Sequence, residues 1–399
     1  MPPTAPGPRR ARDTAVVAAV AAVFFAWVMT LRFTTAEPFE DFRFHNVLTA
    51  GLLAGGALEV PHPLFHLLSA GLALLGLAVP WAGMAVAVLA QASLAAIAFL
   101  GLRGAPGGRL PAGLVALGIA VVAPLNVVAS SPGESYFGYV FPNALHNPTI
   151  ALLRPLALGV FLACVAVLAG APDPSRRRLA VTAALTAACA LAKPSYVICL
   201  LPALAGAWLL AADRGGRRWK AVALAVAAPA AVLTLVQASF VLTTDRMEPA
   251  RIVFAPLAIV FLHMRDDVGL LAAKVALSAA FPLVVAAVFA REAARSPAVR
   301  LAWLGFAAGL FHACAFAETG PRAVHGNFLW SAQVSLLVLF AASAKLVLER
   351  AAGGAKRAAV AVCAGVLLLH AASGAVQAVR FAREGPWYLR EAPSSPPSR

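Results

Sequence analysis

Four stretches of this sequence gather residues able to move protons or hold anions. The first reads Glu37-Pro38-Phe39-Glu40-Asp41-Phe42-Arg43-Phe44-His45. A carboxylate here, Asp41 or Glu40, can act as a general base, with Arg43 or His45 to orient it and the three phenylalanine rings to exclude water. A solvated acidic loop with aromatic interface anchors would look the same. The second stretch, Pro61-His62-Pro63-Leu64-Phe65-His66, sets His62 and His66 four residues apart on one helix face. With Glu59 they could bind a divalent metal, although interfacial histidines that only hydrogen-bond fit equally well.

The third stretch holds Tyr136, Tyr139, Asn143, His146, Asn147 and Arg154. Amides, an imidazole and aromatic rings suit sugar recognition, and a tyrosine belt at a membrane surface shares that composition. Arg154 sits just inside an apolar run, where a cation is costly and usually faces an anion. The fourth stretch, Glu318 to Trp330, packs Glu318, Arg322, His325 and Asn327 around two glycines, more polar chemistry than a helix connection needs. Arg322 offers a planar fork for a phosphate, and His325 can donate beside it. Lys193, in Ala192-Lys193-Pro194-Ser195, either adds a second cation or snorkels to lipid headgroups.

These residues need elements to hold them, and the elements are set by hydropathy. Of 399 residues 61% are hydrophobic and only 12% charged, with a mean hydropathy of +0.83. A soluble domain carries roughly a quarter of its residues as charges. Here apolar runs recur, each near the ~20 residues that cross a ~30 Å hydrocarbon layer as a helix. The expected fold is all-α: a polytopic transmembrane helical bundle of about 10 to 12 spans over residues 1–384, with no separate soluble domain. The expected runs are 14–33, 63–80, 81–102, 111–130, 151–170, 179–212, 221–242, 268–290, 301–317, 329–348 and 358–379. The run 179–212 is broken at Lys193-Pro194-Ser195 and flanked by arginines at both ends, so it reads as a hairpin with Lys193 at its outer tip. Apolar stretches 47–58 and 252–262 are too short to span and suit interfacial helices or segments that dip back into the membrane. The tail 385–399 is rich in proline and serine and reads as disordered.

The net charge of +15 is no nucleic-acid signature, because the basic residues cluster at span ends, as in Arg176-Arg177-Arg178 and Lys356-Arg357. That is the positive-inside pattern. It leaves loops 34–62, 131–150, 243–267 and 318–328 on the outer side, where ten of the 17 acidic residues collect together with most histidines. Three apolar runs between residues 63 and 130 cannot join two outer loops, so one of them is not a full crossing or a further short crossing is present. The five cysteines lie in apolar runs and read as small buried hydrophobes. No Walker motif, strand-borne dinucleotide glycine pattern, HExxH or GxSxG occurs.

The layout resembles the GT-C superfamily of integral-membrane glycosyltransferases. The likeness rests on a first span, an outer loop with Glu40-Asp41 ahead of an interfacial helix, many further spans, and the segments Pro61 to His66, His146-Asn147-Pro148-Thr149 and Ala192 to Ser195. Members usually carry two loop-one acids separated by one residue, whereas Glu40 and Asp41 are adjacent. The resemblance implies a polyprenyl-phosphate sugar as donor, used at the outward face of a bacterial plasma membrane. Asp41 or Glu40 would handle the acceptor proton, and Arg322, His325, Lys193 and Arg154 would stabilise the leaving phosphate. Membrane lipids and the lipid-linked donor would be its partners. A transporter or flippase, or a polymerase or ligase, of lipid-linked glycans is the other reading.

Overall fold

The computed structural model describes residues 8–35, 40–57, 60–104, 108–126, 138–143, 145–169, 174–211, 213–243, 251–264, 267–320 and 326–385. The described chain is almost wholly helical. After α1 (Pro8–Thr35) come α2 (Glu40–Leu53), α3 (Leu64–Leu74), α4 (Val79–Leu102), α5 (Arg109–Val121) and α6 (Pro148–Ala169). Then follow α7 (Arg176–Ala192), α8 (Val197–Leu209), α9 (Arg217–Val222), a π turn over Ala223–Ala227 and α10 (Ala228–Thr243). A short strand β1 (Ile252–Phe254) and α11 (Ala258–His263) precede α12 (Val268–Ser278), α13 (Ala280–Val288) and α14 (Ala290–Arg295). The chain ends with α15 (Pro297–Ala315), β2 (Phe316–Glu318), α16 (Leu329–Ala352) and α17 (Arg357–Glu384).

Among the described residues seven helices are long and apolar enough to cross a bilayer, or eight if α12 and α13, bent by 70° at their junction, count as one span. The rest of the runs expected from sequence fall on the shorter helices α3 and α5 and on the pair α7 and α8. The most deeply packed span is α16: 89% of its apolar window is buried, against 22% for α17. It is the central post, and α17 presents most of its surface outward.

Contacts between helix termini sort the two ends of the bundle. Arg109 pairs with Asp13 at 2.9 Å, joining the starts of α1 and α5. Arg218 donates to the Leu168 carbonyl, joining the start of α9 to the end of α6. Arg350 pairs with Glu292 at 3.2 Å, joining the end of α16 to α14. These contacts define an arginine-bearing end. At the other end Phe33 of α1 meets Phe42 of α2 and Trp81 of α4, with ring centroids 5.5 and 6.4 Å apart. His146, just before α6, meets Trp330 in the first turn of α16.

This arrangement corrects the run 63–80, which does not cross. Eleven residues of α3 rise only about 16 Å, half of the hydrocarbon layer. Both neighbours of α3 keep it at the same end, since His66 bonds His45 of α2 and Gly83 near the start of α4 lies against Asn46 and Phe65. The chain from α1 to α4 therefore stays at one end, and the conflict among three apolar runs disappears. The stretch 252–262 also departs from expectation. Instead of one interfacial helix it opens with β1, which pairs antiparallel with β2 in the register Ile252 to Glu318 and Phe254 to Phe316.

Within the run 111–130 the helix stops at Val121 because Pro124 disfavours helical geometry at Ala123 and supplies no N–H. The extended backbone that follows is held by other parts of the chain, as buried non-helical backbone requires. Asn143 donates to the carbonyls of Ile119 and Val122. His370 Nδ1 donates to Ala123 O, and Ala123 N–H donates back to the His370 carbonyl at 3.1 Å. Ser373 donates to Pro124 O. Gly374 permits the approach: a Cβ there would stand 1.6 Å from Val121 O.

Candidate functional site

The end opposite the clustered arginine contacts collects side chains from segments far apart in sequence. The clearest anchor is Asn147. Its Oδ1 accepts from Thr149 N, Thr149 Oγ1 and Ile150 N at 3.1, 2.7 and 3.1 Å. That is N-cap chemistry for α6, with Pro148 in the first helical position. With Oδ1 committed, the amide nitrogen points the other way and donates to Asp41 Oδ2 at 2.9 Å. The helix start thus fixes the carboxylate of loop one. Neither Arg43, which is exposed, nor His45 orients it, as the sequence had suggested; Asn147 does.

His146 is buried, and its Nε2 lies 4.0 Å from the same Asp41 oxygen, whose side chain is 39% exposed. Its ring stands 5.2 Å from the Trp330 ring. Lys193, in the break between α7 and α8, places its ammonium 5.0 Å from the centroid of that indole, a cation–π contact. Trp330 Nε1 donates to Asn327 Oδ1 at 3.3 Å, and Asn327 Nδ2 donates to Glu318 Oε2. One continuous group therefore joins Asp41, Asn147, His146, Trp330, Lys193, Asn327 and Glu318.

Burial dominates the electrostatics of His146 and holds its pKa down to about 4. Asp41 pulls in the opposite sense, while the charges of Arg154 and Lys193 reinforce the effect of burial. His146 is therefore neutral at pH 7, with one ring nitrogen a hydrogen-bond donor and the other an acceptor. Arg154 is fully buried on α6, about two turns from His146, and acts on it by charge. On the other side of Asp41, His45 sits four residues along α2 and shares a 3.0 Å hydrogen bond between its Nδ1 and His66 Nε2. Burial drives the His45 pKa to about 2, helped by His66, Lys193 and His62.

Several expected residues fall elsewhere. Arg322, His325 and Glu59 lie outside the described residues, as does the side chain of Glu40, whose backbone opens α2. The aromatic shield imagined around Asp41 does not form from Phe42 and Phe44. Phe42 is fully buried against α1 and Phe44 is 53% exposed, because residues two apart on a helix point about 200° apart. The pairing of His62 and His66 with Glu59 as metal ligands gains no support: His62 precedes α3 instead of sharing a helix face with His66, and His66 Nε2 is engaged by His45. Among the described residues no group of three or more His, Cys, Asp or Glu side chains is placed to hold a metal ion. The cysteines are free, with Cys164, Cys189, Cys199 and Cys363 buried, as expected.

Trp330 was missed as a site residue. Its place in the first turn of an apolar run is what an interfacial anchor also shows. Asn147 was legible as an N-cap from Asn-Pro-Thr at a helix start, and that signal fixes where its amide points. Chemically the group offers a partly open carboxylate, a neutral imidazole, a cation on an indole face and amide donors, all at one end of a membrane bundle. Neither a family model nor a curated protein matches this chain.

Proposed function

We propose that the protein is a membrane glycosyltransferase that moves a sugar from a polyprenyl-phosphate donor to an acceptor hydroxyl at the outward face of a bacterial plasma membrane. The observation that carries this reading is the Asp41–Asn147–His146 constellation beside Lys193, gathered at the bundle end opposite the arginines. Arginine-rich ends face the cytoplasm, which turns the constellation outward.

In this reaction the acceptor oxygen attacks the anomeric carbon and the bond from that carbon to the donor phosphate oxygen breaks. The lipid phosphate departs with the electron pair. Asp41 takes the acceptor proton, with Asn147 holding the carboxylate in place and neutral His146 beside it. Lys193 and Arg154 stabilise charge growing on the phosphate, and Trp330 holds the Lys193 ammonium over its ring. The GT-C likeness of the sequence supports the same reading. Purified protein in liposomes, supplied with radiolabelled polyprenyl-phosphate sugars and an acceptor extract, should release polyprenyl phosphate and label the acceptor. Movement of intact donor between leaflets with no release would point to a flippase instead.

The flippase reading has one observation of its own. The unwound chain after α5 meets the bend between α12 and α13, where Leu125 N–H donates to the Leu277 carbonyl and Val140 N–H to Ser278 Oγ. Lys274 is buried there over the Tyr139 ring. Paired broken helices with buried charge are transporter features. Here, however, the broken backbone is tied at Ala123 and Pro124 to α17 and at Ile119 and Val122 to Asn143, as rigid scaffolding would be.

A further inference from the structure

One exposed apolar face takes no part in the site. On β1, Ile252 is 65% and Phe254 69% exposed, and residues two apart on a strand share a face. The ladder sets Phe316 of β2 opposite Phe254, with ring centroids 6.0 Å apart. Phe316 in turn meets Phe311 of α15 at 5.9 Å, and Phe311 is 58% exposed on a helix of membrane-crossing length. The sheet face therefore continues the lipid-facing flank of α15. The sheet is also fixed to that helix, since β2 begins at the residue after its last. A helix end leaves carbonyls without donors of their own, and here the segment after β1 supplies them. Ala255 N–H donates to the Ala315 carbonyl at 2.9 Å and Leu257 N–H to the Cys314 carbonyl at 2.6 Å. Leu257 makes its bond at φ +59°, a left-handed conformation that costs a leucine energy. The far end of the ladder is polar: Arg251 N–H donates to Thr319 Oγ1 and Thr319 N–H to the Arg251 carbonyl, both at 2.9 Å.

We infer that the two-stranded sheet is a membrane-surface anchor. It rests in the phospholipid leaflet at the end opposite the clustered arginine contacts, with the Phe254 ring among the upper acyl chains and Arg251 at the level of the phosphates. Three observations choose lipid over a protein partner. The apolar face is continuous with a span that already faces lipid. The last carbonyls of α15 are capped by the chain instead of being left to water, as backbone close to hydrocarbon requires. Polarity rises along the ladder from the rings to Arg251, Glu318 and Thr319, in the order in which a bilayer passes from acyl chains to headgroups. Left in water, the face would be an exposed apolar patch of the kind that marks an interaction surface. Glu318 closes the sheet and accepts from Asn327 Nδ2, so the anchor also sets the height of the Asn327–Trp330 part of the site above the bilayer. The inference does not depend on the proposed sugar transfer.

The test attaches a nitroxide to single cysteines at positions 252 and 254, in full-length protein lacking the five native cysteines and reconstituted in liposomes of phosphatidylethanolamine and phosphatidylglycerol. Two references accompany them: Leu224, 70% exposed on the span Arg217–Phe240, and Asp213, exposed in the connection before α9. Collisions of each nitroxide with oxygen, which partitions into lipid, are compared with collisions with a nickel chelate, which stays in water. Oxygen should dominate at 224 and nickel at 213. The label at 254 should follow 224, with oxygen collisions several-fold above nickel. The label at 252 should lie shallower, by up to about 7 Å for two residues of strand. A label at 254 as open to the nickel chelate as the one at 213 overturns the anchor and leaves the face to a protein partner. A label at 252 deeper than that at 254 overturns it as well, because the polar end of the ladder would then point into the bilayer.

Discussion

The substitution Asn147→Asp leaves the cap of α6 intact and reverses the contact with Asp41. The Asn147 amide nitrogen now donates to the Asp41 carboxylate at 2.9 Å; in the variant a second carboxylate occupies that place. Two unit charges about 4 Å apart repel by ~4 kcal/mol at an effective dielectric near 20. Asp41 is 39% exposed on its side chain, so solvent screening reduces this to about 2 kcal/mol or less. Loss of a hydrogen bond to a charged acceptor adds about 1.5 to 3 kcal/mol. Asn147→Ser serves as the control, because serine still caps the helix but neither donates across to Asp41 nor adds a charge. Thermal unfolding in detergent at pH 7.5 should rank wild type above Asn147→Ser above Asn147→Asp. The paired carboxylates raise the affinity of one of them for a proton in the folded state, so the penalty specific to the aspartate must shrink as pH falls towards 5. An Asn147→Asp protein as stable as wild type at pH 7.5, or one whose deficit relative to Asn147→Ser widens in acid, would refute the contact between Asn147 and Asp41.

Other expectations follow from the same geometry. Burial holds the folded His146 at about 4 against an ordinary 6.5, so its contribution to stability is intact above pH 6.5. It is lost at ~1.4 kcal/mol per unit as pH falls from 6.5 to 4; the uncharged variant His146→Gln should flatten that part of a melting-temperature profile. Gly374→Ala forces a Cβ to 1.6 Å from Val121 O and should cost at least about 3 kcal/mol. Gly365→Ala on the same helix meets open space and should be nearly neutral, so equal melting temperatures would contradict the packing of the unwound segment on α17. In a background without the five native cysteines, an impermeant thiol reagent applied to intact cells should label a cysteine at His62 and spare one at Arg177. The reverse pattern would turn the site to the cytoplasm.

Much of the bundle was legible because hydropathy and helix rise leave few options. Apolar runs of membrane length must be helices, and the arginine clusters such as Arg176-Arg177-Arg178 mark one end of them. The gathering of Asp41, His146, Asn147 and Asn327 was foreshadowed for a related reason. Polar side chains in such a chain have only the bundle ends, or costly interior sites, to occupy. What misled was the run 63–80, whose hydropathy is that of a span. Its local punctuation decides otherwise: Pro63 opens α3, Gly76 at φ +103° follows its end, and Pro80 restarts the chain as α4. The pairing of 252–254 with 316–318 was invisible, because a three-residue strand has no periodicity to read and its partner lies far along the chain. The role of Trp330 depends on which ring and which cation fold against it, and only tertiary structure supplies that.

The central claim is that Asp41 takes a proton during sugar transfer, and Asp41→Asn tests it most directly. Asparagine matches the size of aspartate and can turn its own oxygen towards the Asn147 amide, so the fold and the hydrogen bond at 2.9 Å can both survive while the base is gone. The measurement is single-turnover transfer in liposomes from radiolabelled polyprenyl-phosphate sugars, with donor binding followed separately. Transfer should fall by at least the ~10²-fold typical of losing a general base, with donor binding and melting temperature close to wild type. Transfer at the wild-type rate by Asp41→Asn would contradict the account and leave the carboxylate as a structural partner of Asn147.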